Sequence, residues 1–237
     1  MSLVFVTGGS RGLGFETAKA LKTQGHNIVL FAKDQDRLQN AAANLGANFE
    51  VVDLADISQT RKVFAQAVEK YGIPETLMLA HGVMSDRMAK TLRTTDEEWR
   101  RVMSINLDSV FTIVNEVGAK MAEARTDQKN RRIIIYSACL GRMSGPGNAG
   151  GLVPYRISKA GVNALVRNLA HESGHGARGL WVDAICPNHS RTDMGGENAP
   201  RSAAEGAATA VWLATRELIP GSTLTGLLWE DNEVIPW

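Results

Sequence analysis

Val6-Thr7-Gly8-Gly9-Ser10-Arg11-Gly12-Leu13-Gly14 follows directly on the apolar run Leu3-Val4-Phe5-Val6 and leads into Phe15-Glu16-Thr17-Ala18, a stretch of helical character. A strand, a glycine-rich turn and a helix therefore come in immediate succession. Gly8 permits the tight turn, Gly12 lets the backbone come close to a pyrophosphate, and Gly14 lets the new helix lie against the strand. The helix start adds the positive end of its dipole, so this turn suits a bound phosphate.

Outward from this turn, short aliphatic runs alternate with longer amphipathic stretches, the pattern of β-α-β units. Strands are expected at 3–6, 28–31, 49–52, 77–79, 132–136, 181–185 and 225–228. Helices are expected at 12–24, 35–44, 58–71, 96–124, 155–173 and 203–216. Leu3-Val4-Phe5-Val6 and Ile133-Ile134-Ile135 are apolar without a break, as strands covered on both faces are. The fold class is α/β, with a mainly parallel seven-stranded sheet between two layers of helices. The alternation runs from residue 2 to about 228 and resumes on both sides of the glycine-rich stretch 141–151, so a single domain over 1–237 is expected.

Composition removes several classes of function. The 26 Lys and Arg nearly cancel 25 Asp and Glu to leave a formal charge of +1, which argues against nucleic acid as partner. A content of 44% hydrophobic residues supplies a core and excludes disorder. No window of about 20 residues is apolar and free of charge, so no membrane span is expected. No secretory signal is visible, and the two cysteines, Cys139 and Cys186, lack a C-x-x-C spacing. A cytoplasmic, reducing setting fits best. His171 and His175 stand four apart without an evident third ligand, so no metal is expected. Lys129-Asn130-Arg131-Arg132 reads as a solvated loop.

Two further groups of residues carry chemistry. Where an Asp or Glu would hold a ribose 2′-hydroxyl after the second strand, the chain has Ala32 and then Lys33. Lys33 and Arg11 together suit a 2′-phosphate, which favours NADP(H) over NAD(H). Asp53, at the end of the third strand, is placed to accept from an adenine amino group, with Leu54 packing on the ring. Tyr155 and Lys159 stand at i and i+4 on a predicted helix and so share one face. A phenol is a weak acid–base group at neutral pH, and an ammonium beside it favours its ionised form.

Thr7-Gly8-x-x-x-Gly12-x-Gly14, Asp53, Asn106 in Ser104-Ile105-Asn106-Leu107, Tyr155-x-x-x-Lys159 and Cys186-Pro187 followed by Thr192 together resemble the short-chain dehydrogenase/reductase family. The resemblance covers essentially the whole chain. Its C-terminal part is similar to the carbonyl-reductase-like members, which are mostly NADPH-dependent. The resemblance implies a Rossmann-type doubly wound sheet of strand order 3-2-1-4-5-6-7. It implies Tyr155 as general acid, Lys159 as the residue that lowers the Tyr155 pKa and holds the nicotinamide ribose, and Asn106 as anchor of a proton relay. Thr192 would bind the nicotinamide carboxamide, and Ser10, Leu13, Ala80, Gly82 and Pro187 join the glycines in the cofactor site. A homodimer or homotetramer paired through the helices 96–124 and 155–173 is also implied.

Three departures stand out. The family's catalytic serine lies three residues before a glycine at the end of the fifth strand; counting back from Gly141 gives Ala138, with Ser137 beside it. Ser137 is the candidate catalytic serine if a bulge or register shift turns it inward; if Ala138 faces the site, that hydrogen bond is missing unless Ser144 or another group replaces it. His81 stands in Leu79-Ala80-His81-Gly82 where the family carries asparagine, a structural slot in preference to a catalytic one. Asn188 replaces a glycine after Pro187, which its tolerance of left-handed backbone allows. The activity expected is NADPH-dependent reduction of a ketone or aldehyde to an alcohol, or the reverse oxidation. The alternative is a dinucleotide-binding protein of weak or no catalysis with a sensing or assembly role.

Overall fold

A computed structural model describes residues 1–86, 89–124, 130–145 and 150–237. Its first half runs β1 (Leu3–Thr7), α1 (Gly12–Thr23), β2 (Asn27–Ala32), α2 (Gln35–Leu45), β3 (Asn48–Val51), α3 (Ile57–Tyr71) and β4 (Thr76–Leu79). A long helical run follows, made of α4 (Asp96–Met103), α5 (Ser109–Ile113) and α6 (Ala119–Glu123) joined by π-helical turns at Ser104–Asp108 and Val114–Gly118. Then come β5 (Arg131–Tyr136), a 3-10 turn (Cys139–Gly141), α7 (Val153–Glu172), β6 (Leu180–Ile185), α8 (Ala203–Thr215), β7 (Leu228–Glu230) and β8 (Glu233–Ile235).

Among the described residues, one sheet has the order β3-β2-β1-β4-β5-β6-β7-β8, parallel except for the β7–β8 pair. The uninterrupted apolar runs follow from its two covered faces. Phe5, Ile133 and Ile135 point into one core, toward α3, the α4–α6 run and α7, whereas Val4, Val6 and Ile134 point into the other, toward α1, α2 and α8.

The eighth strand was not expected. Asp231 and Asn232 take positive φ, 53° and 65°, and form a two-residue hairpin that turns the chain back antiparallel. Both residue types tolerate this backbone, so the turn forms without the glycine that usually signals it. The seventh strand also starts later than 225. Thr225 precedes it, bonding through its hydroxyl to both the N–H and the C=O of Val182, and Gly226 turns at φ +77°. The expected solvated loop at 129–132 is corrected as well, apart from Lys129, which lies outside the described residues. Arg131 opens β5 buried and donates to the Pro74 and Ala124 carbonyls. Arg132 donates to the Arg216 carbonyl, and burial pulls its pKa down to about 10.

No described helix is long and apolar enough to cross a membrane. The strand order reverses between β1 and β4, the point where a doubly wound sheet opens a crevice at its carboxyl edge.

Candidate active site

A cleft of about 720 Å3 occupies that crevice. Its wall includes every cofactor and catalytic residue expected from the sequence except Asn106. The glycine turn forms the floor. Gly8 and Gly12 hold φ of +64° and +57°, and a side chain on Gly14 would run into the Gly8 carbonyl. Thr192, from the loop after β6, closes over this turn; a methyl on Gly12 would stand 3.2 Å from its Cγ2. Helix α1 starts at Arg11 with no side chain capping its first amides. Free amides, positive backbone and a cradle closed to any side chain fit a pyrophosphate.

At the far end of the cleft, Lys33 Nζ lies 2.6 Å from Asp53 Oδ2 and holds that carboxyl below its ordinary pKa. Arg11 pairs with Asp193 across the cleft mouth. Arg37 also lines this end, paired with Asp34. Sequence reasoning missed it; its position three residues after the helix-capping Asp34, in the first turn of α2, was the available signal.

The other end is built by β4, β5, α7 and the long helical run. Tyr155 and Lys159 project together from α7, with Nζ 5.8 Å from the phenol ring centre. Lys159 donates to the Tyr136 carbonyl at 2.7 Å, and burial pulls its pKa down to about 8. Tyr155 is pushed up, by burial first and then by Cys186 and Cys139. The lowering expected from Lys159 does not offset this shift in the protein alone, where removal of the phenolate from water sets the direction.

Asn106 is fully buried on the first π-helical turn. Its amide accepts from Val83 N–H at 2.8 Å and donates to Val83 C=O at 2.9 Å and to Ser158 Oγ at 3.1 Å. Ser158 in turn donates to the Tyr155 carbonyl. Asn106 therefore clamps the loop after β4 to helix α7; its neighbour Ile105, not Asn106 itself, reaches the cleft.

Ser137 borders the cleft, but its hydroxyl donates to Asn163 Oδ1 at 2.5 Å, away from Tyr155. Ala138 packs with Tyr155 and Val102 in an apolar cluster flanked by Val83, Met84, Leu140 and Leu152. The Ser137 hydroxyl is thus committed to Asn163 on α7 and not to Tyr155. Gly141 sits where the count from it requires, since a methyl there would lie 2.7 Å from Lys159. Ser144 donates to the Trp237 carbonyl.

His81 bridges Thr7 at 2.6 Å and Ser109 at 2.8 Å. Ser109 gives its own proton to the Ile105 carbonyl at 2.7 Å, so His81 Nε2 donates to Ser109 and Nδ1 accepts from Thr7. Burial and the Lys159 charge drive its pKa down to about 3, so it is a neutral tie between β1, β4 and the π-helical turn. Asn188 takes φ +56°, the left-handed backbone expected of a glycine substitute.

The family model for short chain dehydrogenases matches residues 2–203. The chain belongs to that family. Among curated relatives of this dehydrogenase, the 3-oxoacyl-[acyl-carrier-protein] reductase FabG of Escherichia coli is 30% identical over 194 residues, covering 81% of this chain and 75% of that protein. A Streptomyces violaceoruber protein, provisionally assigned as ketoacyl reductase 1 of the granaticin polyketide synthase, is 34% identical over 200 residues, covering 81% and 69%. A Shigella flexneri protein provisionally assigned as a short chain dehydrogenase and solved with NADP superposes with a TM-score of 0.81 over 95% of both chains at 20% identity, a likeness of fold. The chain is thus an oxidoreductase of a family that binds NAD(P) and acts on small molecules.

Proposed function

We propose that this dehydrogenase is an NADPH-dependent reductase of a ketone or aldehyde carbonyl, with Tyr155 as the general acid. The observation that carries this is the shared cleft: the buried Tyr155–Lys159 pair faces the same space as the glycine turn. Gly8, Ser10, Gly12, Leu13 and Gly14 would hold the pyrophosphate, and Lys33, Arg11 and Arg37 a 2′-phosphate. Asp53 and Leu54 would take the adenine, Ala80, Gly82 and Lys159 the nicotinamide ribose, and Pro187 and Thr192 the carboxamide. When bound, the nicotinamide supplies the hydride. Tyr155 protonates the carbonyl oxygen through its phenol, and the Lys159 ammonium steadies the phenolate left behind. Asn106 keeps Val83 and α7 in register, so that Tyr155 and the loop after β4 face one another across a fixed gap. Ala138 leaves the fifth strand without a hydroxyl toward the substrate.

The names of the relatives point to 3-oxoacyl thioesters as the first substrates to try. The groove of about 370 Å3 along Phe111, Val114, Leu165 and Leu169 supports pairing of two chains through the helices that carry them. The proposed setting is cytoplasmic, on the two cysteines that lack a C-x-x-C spacing.

NADPH oxidation against a panel of 3-oxoacyl thioesters, diketones and aldehydes tests the proposal. Turnover is expected, and Tyr155→Phe should lower it on the order of 10³-fold while NADPH binding stays intact. Unchanged turnover in that variant would overturn the mechanism. The second reading, a dinucleotide-binding protein of little catalysis, is favoured by the Ala138–Tyr155 packing. It predicts tight NADPH binding with no turnover on the whole panel.

A further inference from the structure

The two cysteines, far apart in sequence, meet in the fold. Tyr136 and Ile185 are paired neighbours on β5 and β6. Beyond them, β6 runs on into Cys186, and β5 bends through Ser137 and Ala138 into the 3-10 turn that starts with Cys139. The Cys139 N–H donates to Cys186 Sγ at 3.1 Å, which brings the second sulfur against the first cysteine's backbone. Cys186 is buried, whereas Cys139 is only partly so. The charged and titratable groups facing the pair are Arg142, Arg201, Glu230 and Tyr155. Contact with Cys186 and the charge of Arg142 hold the Cys139 thiol low, and the same contact together with burial pushes Cys186 up. One sulfur is partly exposed and favoured as a thiolate, and the other is covered beside it, an arrangement suited to attack followed by resolution.

We propose that Cys139 and Cys186 form an oxidisable dithiol, which hydroperoxides convert to a disulfide beside Tyr155. The Cys139 thiolate attacks the peroxide, the O–O bond breaks, and Cys139 becomes a sulfenic acid as the departing oxygen leaves as water or alcohol. Cys186 then attacks the Cys139 sulfur; the S–S bond forms, the S–O bond breaks, and the Cys186 proton leaves with the oxygen as water. Two thiols are oxidised and one peroxide is reduced. The bond would pin the turn that carries Ala138 against Tyr155 and Gly141 against Lys159. Turnover, on the reductase proposal, should fall about tenfold or more, as small displacements of a positioned acid do.

The test treats the folded, reduced chain with hydrogen peroxide and maps tryptic fragments without reductant. Fragments 133–142 and 179–191 each hold one cysteine. Expected are their linkage within one chain, loss of both free thiols and a fall in turnover, with all three reversed by dithiothreitol. Cys186→Ser should give no link and over-oxidised Cys139; Cys139→Ser should leave Cys186 as a thiol. Unlinked fragments from the folded protein, links only between chains, rapid oxidation of Cys186 in Cys139→Ser, or a link that leaves turnover unchanged would each overturn the proposal. Linkage is read by mass, so a reduced protein without any turnover would count against the reductase proposal and leave the dithiol to be decided by the fragments.

Discussion

The two ends of the cleft are built in different ways. The end under β1 and β2 is made of backbone: a positive-φ turn, a helix start without a cap, and glycines that exclude any side chain. The end under β4, β5 and β6 is made of side chains from separate segments, with Asn106, His81, Ser137 and Tyr155 each held by a partner on another element. The first needs only a short consecutive pattern. The second depends on which rotamer each side chain adopts, and three of its positions, His81, Ala138 and Asn188, depart from the family's pattern.

Acid should separate the two ends most strongly. His81 stays neutral in the fold down to about pH 3, whereas a free histidine takes a proton near 6.5. Between those values the unfolded chain binds a proton that the folded chain refuses, so stability falls as pH falls, by about 3 kcal/mol at roughly pH 4. His81→Asn keeps a hydrogen-bonding side chain that cannot be charged, and its urea midpoint should decline less between neutral pH and pH 4. An equal decline would remove His81 as the acid-sensitive tie.

Ala138→Ser comes next in size. Restoring a hydroxyl opposite Tyr155 should raise ketone turnover about tenfold to a hundredfold without altering NADPH affinity, because it adds a donor to the carbonyl oxygen. No gain in steady-state kinetics would mean that the catalytic end already has its second donor. Lys33→Ala is the smallest. It should weaken NADPH about tenfold and leave NADH nearly unchanged, while stability moves by less than about 1 kcal/mol because the Lys33–Asp53 pair is exposed. Equal weakening of both cofactors, measured by titration, would remove the 2′-phosphate role.

What was legible in the sequence divides along the same line. The positions of the strands from β1 to β7 followed from apolar periodicity, their order from the family resemblance, and the glycine cradle from residues that only a backbone requirement explains. The β8 hairpin was hidden because Asp231 and Asn232 do the work of glycine. Arg131 and Arg132 looked solvated because the buried carbonyls that receive them lie far away in sequence. Arg37 escaped because a helix residue near a phosphate looks like any exposed cation. Counting back from Gly141 put Ala138 at the catalytic place, but whether a bulge would turn Ser137 inward depends on Asn163, a partner 26 residues on.

The most direct test of the central claim is transfer of deuterium from nicotinamide-labelled NADPH to product, followed by mass spectrometry in wild-type protein and in Tyr155→Phe. Label should appear on the carbinol carbon with wild type and fall on the order of 10³-fold in the variant. Alcohol formed without label, or label transferred equally well without the phenol, would contradict the account.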